Sequence, residues 1–232
     1  MTKPLGQINI FAVQRSGGTI LNLFLREFVC EKCSLLHPQL LKEELNPNSY
    51  GPNNLFLYRH PFGILGSMLH VDSIDIKRGL INVEKGNAKI KIHNLKERLN
   101  IFYSYTKLHA KEGIEIRYED FYNNFEYLRY FVGKNYNVDI SDEQLEKFTS
   151  DFSADSIAKD MISGTKKIKD FRPFHVSSGK GDNRANLKLI PSELRNESKI
   201  ILQEFVDQMN YETFDLSEIP SNKNYELNKA YS

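Results

Sequence analysis

At 232 residues, with an apolar share of 40% rich in Phe and Tyr, the chain has the material for one large α/β domain with a sizeable core. Basic and acidic residues nearly cancel, 31 against 30, which argues against a duplex nucleic-acid binder while leaving room for a local basic pocket. No apolar run reaches the roughly 18–20 residues that span a bilayer, residues 1–5 have no signal-peptide core, and two cysteines cannot by themselves make a four-ligand zinc site, so a soluble, cytoplasmic, reduced chain is expected.

Residues 8–13 form a short apolar run that ends at Gly17 and Gly18, a strand followed by a tight turn. From Thr19 onward Ile20, Leu21, Leu23, Phe24, Leu25 and Phe28 repeat with helical spacing. Cys30 and Cys33 follow that run, whereas a redox pair is expected just after a strand and opening a helix. A turn-rich stretch, 46–54, leads into a second strand at 55–58. A helix is then expected from Pro61 to about Val71, with proline suited to the first turn. Residues 72–93 mix charged and small side chains and read as a substrate-facing excursion.

A helix over 94–109, a strand over 114–118 and a helix over 121–132 come next. Ser141 with Gln144 marks a capping box at the start of a short helix. Residues 171–186, rich in Gly, Ser, Lys and Arg, read as a functional loop. Pro191 opens a last helix whose apolar stripe includes Leu194, Ile200, Ile201, Leu202, Phe205 and Met209, with a polar tail after about 213. Strands alternating with helices predict a single domain with a central parallel sheet flanked by helices.

Two stretches carry chemistry. Gln14-Arg15-Ser16-Gly17-Gly18-Thr19 lies between strand and helix, where glycines admit a ligand and the first helix amides point at an anion. Arg15 adds a permanent charge, and Ser16 and Thr19 add hydroxyls. A Walker A loop would need lysine at position 18, directly before Thr19; Gly18 stands there, which disfavours an ordinary nucleotide kinase. The second stretch is Arg59-His60-Pro61, at a strand end that faces the ligand crevice of an open α/β sheet, with Ser67 two helical turns on.

Together these stretches resemble the PAPS-dependent sulfotransferases, enzymes of a P-loop-like nucleotide-binding fold. Arg15-Ser16-Gly17-Gly18-Thr19 is similar to the family's 5′-phosphosulfate loop, and Arg59-His60-Pro61 with Ser67 and His70 to its 3′-phosphate motif. Arg117-Tyr118-Glu119-Asp120-Phe121 resembles the segment whose tyrosine lies near adenine. The run from Ser177, Ser178, Gly179 and Lys180 to Arg184 resembles the late loop over the 3′-phosphate, and the helix ending in Asn210-Tyr211-Glu212 the family's final one. The chain departs from the pattern at Ile20, where an aromatic stacks on adenine, and at Asn183, where tryptophan is usual.

The resemblance implies a sulfuryl donor, 3′-phosphoadenylyl sulfate (PAPS), a product, PAP, a hydroxyl acceptor and no metal. Arg59, Ser67 and the late loop would hold the 3′-phosphate, the 15–19 loop the phosphosulfate, and Ile20 and Tyr118 the adenosine. Arg15 would stabilise charge on the leaving nucleotide, since arginine is a poor proton donor. His37, in Leu35-Leu36-His37-Pro38, occupies the interval where many cytosolic members place a catalytic histidine, the natural base near neutral pH. Glu27 and Glu31, both expected on the first helix, are the alternative bases. A non-catalytic nucleotide-binding protein is the competing function, a kinase-like phosphotransferase the lesser one; no stretch specifies the acceptor.

Overall fold

A computed structural model describes residues 5–37, 53–77 (backbone alone at 72–77), 87–109, 113–122, 124–153, 156 and 186–218. These gather into two compact units, one drawn from 1–59 and 101–176, the other from 60–100 and 177–232.

The first unit is built on four parallel strands, β1 (Leu5–Ala12), β2 (Cys30–Leu36), β3 (Asn54–Tyr58) and β4 (Gly113–Arg117), in the order β2-β1-β3-β4. Helix α1 (Gly18–Phe28) connects β1 to β2. Side chains alternate across the sheet with the period of two that extended backbone imposes. Ile8, Ile10 and Ala12 of β1, with Leu55, Leu57 and Ile116, face a core completed by Leu21, Phe24 and Leu25 of α1. Phe125, Leu128 and Phe131 of α5 (Phe125–Tyr136) and Leu145 and Phe148 of α6 (Asp142–Phe152) belong to the same core. Phe11 and Phe56 point the other way, their rings 5.4 Å apart, and Tyr105 of α3 (Ala88–His109) covers Phe11 at 4.9 Å. The unit is therefore a parallel sheet with helices on both faces, the arrangement that all-parallel strands require.

β2 was not expected. Its alternation is masked by the polar run Glu31-Lys32, which fits an edge strand with exposed side chains. Cys30 and Cys33 open this strand after a helix, both as free thiols. A hydrogen bond to Cys30 and burial push the Cys33 thiol well above its ordinary range, the reverse of what a reactive thiolate needs. The helix expected over 121–132 is two pieces, α4 (Tyr118–Phe121) and α5, because the Asn124 side chain accepts from the Tyr127 amide and starts the helix afresh.

The second unit contains α2 (Pro61–Lys77), the first half of α3 and α7 (Arg195–Gln208). The described ends of the expected excursion over 72–93 are helical, 78–86 lying outside the described residues: α2 runs on to Lys77, and α3 begins at Ala88, where the Asn87 side chain accepts from the Lys89 amide. Ala88, Ile92, Leu95 and Leu99 are buried at helical spacing beneath the charged residues that concealed them. Pro191 leads into a 3₁₀ turn, Ser192–Leu194, before α7, and Ile200 faces outward, 71% exposed, leaving Leu202, Phe205, Val206 and Met209 as the buried stripe.

The segment after 213 is not a bare polar tail, since Phe214 and Leu216 are buried. His60 explains the first of these. It precedes α2 and its Nδ1 accepts from the Phe62 amide, so Nε2 carries the proton and donates to the Glu212 carbonyl at 2.9 Å. The neutral ring then lies flat on Phe214, centroids 4.0 Å apart and planes nearly parallel. Among the described residues, no helix is long and apolar enough to cross a membrane.

Ser141 and Gln144 form the expected reciprocal capping box of α6. Ser141→Ala should lower stability by about 1 kcal/mol in a denaturant titration.

Candidate functional site

In a parallel sheet of order β2-β1-β3-β4, the chain leaves β1 toward one side and returns from β2 to the other. The crevice between the carboxyl ends of β1 and β3 is therefore the topological switch point, where ligands bind in open α/β sheets. The strand ends are level: Phe11 pairs with Leu36, Ala12 with Leu57, and Tyr58 with Arg117. Arg15, His37, Arg59 and Tyr118 thus all leave the sheet along the same edge.

The loop between β1 and α1 is bent by two left-handed residues, Arg15 at φ 71° and Gly17 at φ 86°. Alternating backbone of this kind turns successive amides toward one side, as in anion-binding nests. Each glycine has its own spatial reason. A Cβ on Gly17 would enter the Tyr118 ring, and one on Gly18 would come within 2.6 Å of Leu35 Cδ1 on β2. The backbone therefore packs directly on side chains from β2 and from the end of β4.

Helix α1 begins at Gly18 with no side-chain cap and no acidic residue in its first turn. The first amides of a helix have no intrahelical acceptor and carry a partial positive charge. Ser16, 1% exposed, has a hydroxyl with no hydrogen-bond partner among the described residues. An unsatisfied buried hydroxyl costs on the order of 1–3 kcal/mol, a cost that a bound oxyanion would relieve. Thr19 and Ile20 are half-buried in the first turn, Ile20 packing against the core.

Arg59 lies within the same construction. Its Nη1 donates to the Arg15 carbonyl at 2.6 Å, and its guanidinium carbon stands 4.2 Å above the centre of the Tyr118 ring. Tyr118 is 4% exposed, between Arg59 and Gly17, and burial raises its hydroxyl well above the usual phenol range. Arg59 and Tyr118, which the resemblance implies as ligands of the 3′-phosphate and the adenosine, are both in contact with the 15–19 loop.

His37 follows β2, and its Nδ1 lies 2.9 Å from the Ala12 carbonyl. A carbonyl only accepts, so in the neutral ring Nδ1 carries the proton and Nε2 the lone pair, the tautomer that a general base requires. Neither alternative base is at this edge. Glu27 sits near the far end of α1, about 14 Å along the axis from Gly18, and Glu31 is on β2 rather than on the helix, near that strand's amino end. Sequence reading missed Leu35, which seats Gly18, and the Ala12 carbonyl, which orients His37; recognising β2 as a strand would have located both.

Ser67 is buried on α2 in the second unit, beside Gly66, where a Cβ would come within 3.0 Å of Asn186 Cβ. Ser177, Ser178, Gly179 and Lys180 lie outside the described residues. Among the described residues, no group of three His, Cys, Asp or Glu side chains is placed to hold a metal. No protein-family model matches the chain, and no curated protein sequence matches it.

Gly17→Ala combines a left-handed backbone with a collision against Tyr118. It should destabilise the protein by about 2 kcal/mol or more in chemical denaturation.

Proposed function

We propose that the chain transfers the sulfuryl group of PAPS to a hydroxyl acceptor, releasing PAP, on a P-loop-like fold. One observation carries the reading: an uncapped helix start, an arginine and a buried serine hydroxyl with no partner among the described residues converge at the switch point of a parallel sheet. The motif order that resembles the sulfotransferases supports the choice of sulfuryl over phosphoryl transfer, as does the absence of a lysine at position 18.

In this reading the amides of Gly17 to Ile20 and the Ser16 hydroxyl bind the 5′-phosphosulfate. Nε2 of His37 takes the acceptor's hydroxyl proton as the acceptor oxygen bonds to sulfur. The bond from sulfur to the bridging oxygen breaks, and its electron pair leaves with PAP. Arg15 stabilises the negative charge that collects on the departing phosphate, the electrostatic contribution that dominates transfers of this kind. Ser67 and the 177–180 stretch enter through the resemblance alone, as ligands of the 3′-phosphate.

The test pairs equilibrium binding of PAP with transfer from labelled PAPS to a panel of hydroxyl acceptors. Arg15→Ala should abolish transfer while leaving measurable PAP binding. His37→Ala should slow transfer by about 10²-fold or more with PAP affinity within about twofold of the parent. Full transfer by Arg15→Ala would overturn this mechanism, and phosphoryl transfer from ATP would replace the function.

A further inference from the structure

The sequence motif around Arg59 suggests a phosphate ligand, yet its geometry describes a different task. We propose that Arg59 is a positioning residue that acts through Arg15 and Tyr118, holding the 15–19 loop in the shape that receives an anion. This rests on the reading of that loop as an anion seat and not on the identity of the donor.

Three contacts close a ring. Arg59 donates to the Arg15 carbonyl at 2.6 Å, its flat face lies 4.2 Å over Tyr118, and Tyr118 packs against the bare Cα of Gly17. The two loop residues in this ring, Arg15 and Gly17, are the two with left-handed φ. A left-handed arginine is unfavourable on its own, because its Cβ crowds the following carbonyl, and it persists only where surrounding contacts determine it. A charge-assisted bond to that residue's own carbonyl is such a contact, and it sets the direction in which the next peptide points. The ring of Tyr118 fixes the other bend by filling the space that any side chain at 17 would need. The guanidinium satisfies both demands together: it has a donor for the carbonyl and a plane for the aromatic face. Lysine could keep the charge but has no plane to lay on Tyr118.

The two roles predict different ligand dependence. A ligand of the 3′-phosphate matters only for nucleotides that carry one. A brace of the loop matters for any anion seated there, including one with no nucleoside. The experiment measures calorimetric affinities of the full chain for inorganic pyrophosphate and for PAP, in the parent, Arg59→Lys, Tyr118→Leu and Tyr118→Phe. Thermal melting establishes that each variant is folded.

Arg59→Lys, which keeps the charge but loses the plane stacked on Tyr118, should weaken both ligands by a similar factor of about ten, the worth of one buried cation–π contact. Tyr118→Leu should do the same without altering any charge, and Tyr118→Phe, which keeps the ring, should recover most of the affinity. If Tyr118→Leu does not fold, Arg59→Lys decides alone. Pyrophosphate affinity of Arg59→Lys within about threefold of the parent would overturn the proposal, whatever happens to PAP; a larger loss supports it. A parent chain that binds pyrophosphate but not PAP would refute the donor reading and leave this inference to the pyrophosphate series. A parent that binds neither would refute both.

Discussion

The hydrogen bond from Arg59 to the carbonyl of Arg15 ties the end of β3 to the loop that leaves β1, across the point where the sheet's connections diverge. The left-handed bend at Arg15, the contact of Gly17 with Tyr118 and the direction of the first amides of α1 are all set around it. The bond is charge-assisted, and the guanidinium is stacked and nearly buried, so water competes for it poorly. A surface ion pair would hold the loop with a fraction of that constraint.

Much of this was readable from residue types. Strands β1, β3 and β4 announced themselves as short apolar runs ending at a glycine, an arginine and a tyrosine, and their alternation with helices implied parallel pairing. The Ser141 capping box was legible because its signature is local, two residues at fixed spacing. The arginine at 59 could be placed at a strand end, and a strand end in a parallel sheet faces the crevice.

What escaped was whatever depends on partners distant in sequence. β2 looked like the continuation of a helix because Glu31 and Lys32 interrupt its apolar alternation, and only pairing with β1 shows them to be the outward residues of an edge strand. The start of α3, residues 88–93, was hidden because Lys89, Lys91 and His93 outnumber the buried Ala88 and Ile92 there. The tail beyond 213 reads as polar by composition, yet one histidine with a fixed tautomer holds Phe214 in place. For the site, chemistry was easier to see than geometry. Arg15, His37, Arg59 and Tyr118 were all singled out, but no pattern in the sequence says that Arg59 reaches Arg15, or that Tyr118 lies under Gly17.

The left-handed arginine has a consequence for how this protein could vary. Glycine is the residue that adopts such a backbone without steric cost, and a neighbouring position in the same loop already uses it. Arginine at 15 accepts a conformational penalty on the order of 1 kcal/mol to place a permanent cation at the mouth of a helix. Selection for robustness alone would favour glycine there, whereas the proposed anion chemistry would oppose it. Under the proposed function, stability and activity pull on this one residue in opposite directions.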